Sequence, residues 1–188
     1  MNYKAIFLDV DGVLNAYNRI YDFAWRLSLK LKISDFVRSH YDVFGVRTYR
    51  VFLLWIIVKF TGADIVLSSS WRHGFMDQTK EKHGRQKELQ KKLSWFGLTV
   101  VGVTGRVSSE GRYSDRGLEI QEYLNKHNYI TNYVVIDDEK FDIIDTLGDE
   151  HLILTSRDGV IKGHPYENTG LKIKNVIRAI KILNRKGF

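Results

Sequence analysis

The chain has 188 residues, 44% of them hydrophobic and 13% aromatic, which suits one domain with a sizeable core and argues against disorder. It has no cysteine, so disulfides, thiolate metal sites and cysteine nucleophiles are excluded. The formal net charge of +7 is unevenly spread, with basic residues concentrated in 16–60 and in the tail from Leu171 and acidic ones in 101–170. That pattern favours phosphate-rich partners, or serves only as a solvated surface.

Tyr3 to Leu8 is short and mostly apolar, and predicts a buried strand. It stops at Asp9-Val10-Asp11-Gly12, two acids one residue apart. Like charges that close repel, and burying them demands a cation. From Ala16 to about Arg47 the rhythm of alternating elements lapses. Tyr17, Tyr21, Phe23, Trp25, Phe36, Tyr41 and Phe44 lie among basic residues there. The expectation is a small helical cap inserted at 16–47, the alternative being a long connection with one helix.

Tyr49 to Phe60 is apolar nearly all round and predicts a buried helix. Its apolar run, Val51 to Val58 between Arg50 and Lys59, is too short to span a bilayer. The N-terminus runs straight into a strand without the pattern of a secretory signal. A cytoplasmic protein with no membrane partner is therefore expected.

Ala63 to Ser68 predicts the second strand, followed by Ser69-Ser70-Trp71-Arg72. Gln86 to Trp95 predicts a helix and Leu98 to Val103 a strand. Asp115 to His127 predicts a helix capped by Ser114 or Asp115, with Leu118, Ile120, Tyr123 and Leu124 on or near one face. Tyr133 to Ile136 predicts a strand that again stops at acids, Asp137 and Asp138, and His151 to Thr155 predicts another. In the tail, Ile173, Val176, Ile177, Ile180 and Leu183 form a helical stripe expected to pack on the core. Strands alternating with helices imply an α/β, three-layer, Rossmann-like fold: a parallel sheet with helices on both faces, in a single domain spanning 1–188.

In such sheets ligands bind beyond the carboxyl ends of the strands. Asp9 and Asp11, Ser68 to Ser70 with Arg72, and Asp137 and Asp138 all follow predicted strands. If those strands are neighbours, four carboxylates, several hydroxyls and an arginine meet at one rim. Oxygen ligands of this kind favour Mg2+, with waters and a substrate phosphate completing an octahedron. An EF-hand does not fit, because Ile20 stands where its bidentate glutamate belongs.

Asp9-Val10-Asp11-Gly12-Val13 resembles the first motif of the haloacid dehalogenase (HAD) superfamily of phosphotransferases. The Ser68 strand end resembles its second motif, and Val135-Ile136-Asp137-Asp138 its acidic fourth. Taken with "RGLEIQEYL" and a late "TG-L" before the last helix, the chain is similar to the HAD-like domain of Swiss Army Knife RNA repair proteins, outside residues 16–47. The resemblance implies an HAD-type phosphatase. Asp9 would be the nucleophile that forms an aspartyl-phosphate, and Asp11 the general acid and then base. Mg2+ would be held by Asp9, the backbone carbonyl of Asp11 and Asp138, with Asp137 assisting. Ser68, or Ser69 if the strand ends one residue later, would bind a phosphoryl oxygen.

The third-motif cation would be Arg116, with Lys140 as competitor. Arg72 would clamp phosphate or nucleotide, or else pair with acidic loops. An acid at position 11 points to phosphomonoester hydrolysis, since dehalogenases of the superfamily lack one and its transport ATPases carry threonine. The substrate is expected to be a nucleotide or a nucleic-acid terminal phosphate. A nucleoside monophosphate or other small metabolite, and a non-catalytic binding role on the same scaffold, stand as alternatives.

Overall fold

The computed structural model describes residues 3–15, 45–72, 75, 84–107, 115–156 and 170–185. The cap expected at 16–47 thus lies outside the described residues except for its last three.

Five strands form one sheet: β1 (Tyr3–Leu8), β2 (Asp64–Leu67), β3 (Val100–Val103), β4 (Ile130–Asp137) and β5 (Leu152–Leu154). Their order is β3-β2-β1-β4-β5 and every pairing is parallel. Leu8 at the end of β1 stands opposite Leu67 on one side and Ile136 on the other, so three strands finish level. The helices described in full are α1 (Thr48–Thr61), α2 (Gly84–Ser94), α3 (Arg116–Lys126), α4 (Phe141–Leu147) and α5 (Ile173–Leu183).

Side chains alternate across the sheet, which gives each face its own core. Ile6, Leu8, Ile65, Leu67, Val134 and Ile136 pack with residues of α1, α2 and α5. Ala5, Phe7, Val66, Val135 and Leu152 pack with Ile120 of α3 and Ile143 of α4. The predicted three-layer α/β arrangement is the one observed. β1 and β4 are neighbours, yet the chain leaves them in opposite directions along the sheet. The crevice outside their carboxyl ends is the topological switch point, where such folds bind ligands.

Three readings of the helices need correction. The first is α4, which the sequence pattern did not predict; seven residues are too few to show a period. The second is α1, which is not buried all round. Val51, Leu54 and Ile57 are buried, but Tyr49, Phe52 and Phe60 are exposed, because an outer-layer helix has only one face against the sheet.

The third is α5, which buries a different stripe. Ile173 and Ile177 are 59% and 52% exposed, while Val176, Ala179, Ile182 and Leu183 are buried. The buried face is turned by roughly 90° from the one the apolar residues suggest, at ~100° per residue. A polar anchor explains the turn. Asn175 Nδ2 donates to the Leu154 carbonyl at 3.2 Å, and its Oδ1 accepts the Lys172 amide at 3.0 Å. Asn175 must therefore face the sheet, and the helix rotates to allow it.

No helix among the described residues is long and apolar enough to cross a membrane.

Candidate active site at the β1–β4 switch point

The chain leaves β1 by extending the ladder one residue: the Asp9 amide donates to the Ile136 carbonyl at 3.0 Å. It then turns tightly, with the Val10 carbonyl accepting the Leu14 amide at 2.9 Å. Gly12 makes this turn possible for two reasons. Its φ is +67°, and a Cβ there would lie 1.9 Å from Asp138 Oδ2. Gly12→Ala is therefore expected to displace Asp138 and to cost about 1–3 kcal/mol of stability in urea denaturation. It should also blunt any thermal stabilisation by Mg2+.

Thr155, at the end of β5, ties the loops together. Its hydroxyl lies 3.0 Å from the Gly12 carbonyl and 3.2 Å from that of Asp137, and it can donate to either.

Asp9, Asp137 and Asp138 converge here, all buried, with one carboxylate oxygen of each within 4.8 Å of the others. Arg116, the first residue of α3, is the cation among them. Its Nη1 lies 2.5 Å from Asp137 Oδ2 and 3.1 Å from Asp9 Oδ1. The helix start that carries it is fixed twice. Asp115 caps α3 by accepting the Leu118 amide at 3.2 Å. Asp142 of α4 accepts the amides of Arg116 and Gly117. The unpredicted helix α4 thus holds Arg116 in place. Lys140, its competitor for that role, occupies the N-cap position of α4.

Among the described residues one guanidinium faces three carboxylates. Burial pushes the Asp9 carboxyl well above its ordinary range, Arg116 pulls it back, and Asp137 pushes it up again. Asp137 is also raised by burial, against the pull of Arg116. Asp138 is pushed up to about 7, by burial first and then by Asp137 and Glu139. For Arg116, burial works downwards, but Asp137 and then Asp9 outweigh it and hold the guanidinium above its usual range. A buried all-oxygen donor set, short of positive charge, fits a hard divalent cation such as Mg2+. Asp137 has one oxygen on Arg116 and accepts the Glu139 amide on the other at 2.9 Å.

Asp11 stands apart from this cluster. Its Oδ1 accepts Asn15 Nδ2 at 2.6 Å, and its Oδ2 accepts the indole Nε1–H of Trp71 at 2.9 Å. After β2, Ser68 and Ser69 are both fully buried. The Ser69 hydroxyl accepts the Trp71 amide at 3.4 Å and draws the Asp9 carboxyl downwards. The Ser68 hydroxyl has no hydrogen-bond partner among the described residues.

Arg72 departs from its expected role as a phosphate clamp. It is buried, with Nη1 and Nη2 on the two oxygens of Glu119 at 2.5 and 2.6 Å and Nη1 also 3.1 Å from Thr104 Oγ1. Its guanidinium is spent on a bidentate pair inside the protein. The partner is on helix α3, not on the acidic loops that the sequence suggested.

Asn15, Trp71, Thr155 and Glu119 belong to the site's framework, and sequence reasoning gave none of them a role there. The one available signal was polarity at a strand end or inside a helix's apolar face.

No curated protein and no solved structure matches the chain at a significant level. A family model does, over residues 5–162, and it describes the HAD domain in Swiss Army Knife RNA repair proteins. Such a domain points to a phosphatase-type hydrolase, and the buried aspartate cluster is consistent with that. The match covers well over half of the chain and runs from within β1 past the end of β5, so the chain belongs to the family of HAD domains found in Swiss Army Knife RNA repair proteins.

Proposed function

We propose that the protein is a Mg2+-dependent phosphomonoester hydrolase acting on a nucleotide or nucleic-acid terminal phosphate. The observation that carries this reading is the placement of Asp9: a buried carboxylate at the switch point, beside two more acids and one arginine. A carboxylate oxygen of Asp9 attacks phosphorus, the bond to the leaving oxygen breaks, and an aspartyl-phosphate forms. Asp11 gives its proton to the leaving oxygen, then takes one from the water that hydrolyses the intermediate. Arg116 holds Asp9 and offers its charge to the incoming phosphoryl oxygens, a task suited to its planar fork. Ser68 brings a hydroxyl with open hydrogen-bonding capacity to the same strand end. Ser69 steadies Asp9.

Asp9, Asp138 and the Asp11 carbonyl would hold Mg2+, which would supply the positive charge an anionic nucleophile needs to approach an anionic phosphate. Asp137 keeps Arg116 aligned from the side. The net charge of +7 and the aromatic, basic composition of 16–47 support a nucleotide-type substrate.

The test is phosphate release from 4-nitrophenyl phosphate, nucleoside monophosphates and end-phosphorylated oligonucleotides, each with Mg2+ and with EDTA. The expected result is release that needs Mg2+, fastest on oligonucleotide ends and falling steeply with salt. Preference for monophosphates with little salt response would favour a small-molecule enzyme. No release from any of the three in Mg2+ would overturn the reading in favour of a binding domain.

A further inference from the structure

We propose that Trp71 is a positioning residue that aims the Asp11 carboxylate at the leaving group through its indole N–H. This rests on the reading of Asp11 as general acid. A carboxylate three residues beyond a strand end, on a turn, is free to rotate about its last bond. Proton transfer needs it held within a few tenths of an ångström and some tens of degrees of the productive pose.

Here each oxygen has its own holder. Trp71 Nε1 reaches Oδ2 at 2.9 Å across 60 residues of chain, and Asn15 Nδ2 reaches Oδ1 at 2.6 Å. Asn15 is itself fixed, since its Oδ1 accepts the Gly12 amide at 3.0 Å. Both holders donate to one lone pair of their oxygen and leave another open to a proton.

Trp71 is built to be rigid. It sits in the single 3-10 turn Ser70–Arg72 and is 6% exposed. Its carbonyl accepts Gln86 Nε2 at 3.2 Å, and the next residue, Arg72, is clamped by Glu119. A tryptophan that only filled space would not need its one polar atom on the one carboxylate that stands outside the buried cluster. That alignment assigns it a second task.

The general-acid proton matters little when the leaving group is already a weak base and much when it is not. The experiment therefore measures kcat/KM, which reports the first chemical step, across phosphates from 4-nitrophenyl to simple alkyl. It uses wild type, Trp71→Phe, Asp11→Asn and the double variant. Trp71→Phe is expected to lose about 3-fold or less on 4-nitrophenyl phosphate and about 10–100-fold on alkyl phosphates, part of the ~10²–10⁴ a positioned acid supplies. In the Asp11→Asn background it should add less than about 2-fold on any substrate, since paired groups are not additive.

Replacing Trp71 with benzothienylalanine, where sulfur stands in place of the N–H, keeps the shape and should give the same slope. It decides the matter if Trp71→Phe folds poorly. An equal loss on all substrates, or no loss, while Asp11→Asn shows a steep slope, would overturn the proposal and leave Trp71 as packing. A flat series for Asp11→Asn itself would instead overturn the assignment of Asp11, and the positioning role with it.

Discussion

Asp9→Asn is expected to reduce phosphate release at least about 10⁴-fold in kcat, the scale on which removal of an essential nucleophile acts. The fold should remain as stable as before, or become more so. The first half follows from chemistry: an amide oxygen does not displace an alkoxide from phosphorus, and no neighbouring carboxylate can take its place. Asp137 has both oxygens engaged, by Arg116 and by the Glu139 amide. Asp138 is wedged against Gly12.

The second half follows from electrostatics. Among the described residues three buried carboxylates share one guanidinium, and burial together with Asp137 drives the Asp9 carboxyl upwards against the pull of Arg116. Asparagine keeps the shape, the Ser69 contact and an acceptor for Arg116, and it removes one of the repelling charges. Stability is then traded for function at this one position. Phosphate release in Mg2+ checks the first half, and thermal unfolding in EDTA the second. Mg2+ should raise the unfolding midpoint of wild type more than that of the variant, a readout independent of turnover. A variant retaining more than a few per cent of kcat would remove Asp9 from the role of nucleophile.

What was legible in the sequence has a common cause. The strands announced themselves as apolar runs because a parallel sheet is covered on both faces, and β1 was read to its observed bounds. The acids at the ends of β1 and β4 stood out because nothing apolar surrounds a carboxylate without cost. Their convergence then needed only the neighbourhood of two strands, and the register of Leu8 opposite Ile136 supplies it.

The unreadable part is made of contacts between distant positions. Trp71 meets Asp11 over 60 residues, Glu119 meets Arg72 over 47, and Thr155 meets the Gly12 carbonyl over 143. No local period carries such information. Arg72 shows the consequence. Beside a strand end expected to bind phosphate it reads as a clamp, or as a partner of the acidic loops. Only the position of Glu119, a charged residue on the inner face of α3, reveals where it goes. The rotation of α5 has the same origin, since one asparagine's reach to the Leu154 carbonyl overrides the stripe of isoleucines.

Breaking the Arg72–Glu119 pair is expected to destabilise the protein by about 3–5 kcal/mol. Both side chains are almost wholly buried, at 4% and 0% exposure, and the pairing is bidentate. Either single change, Arg72→Met or Glu119→Leu, strips one buried charge of its two-pronged partner. The double change removes both charges into an apolar setting. It should therefore recover most of the loss, since buried pairs often do no better than well-packed hydrophobic residues. Urea denaturation of the four proteins gives the cycle, with coupling expected to exceed about 2 kcal/mol. Additive losses would show that the pair has no special standing.

Activity should not recover with stability. The pair joins the turn that carries Ser69 and Trp71 to the helix that carries Arg116, one turn before Glu119. An apolar contact restores packing but not the fixed angle of a two-pronged hydrogen bond. The double variant should thus fold nearly as well as wild type and still turn over alkyl phosphates about 10-fold more slowly, the cost of a site held slightly out of line. Full recovery of both would mean that the ion pair serves the fold alone.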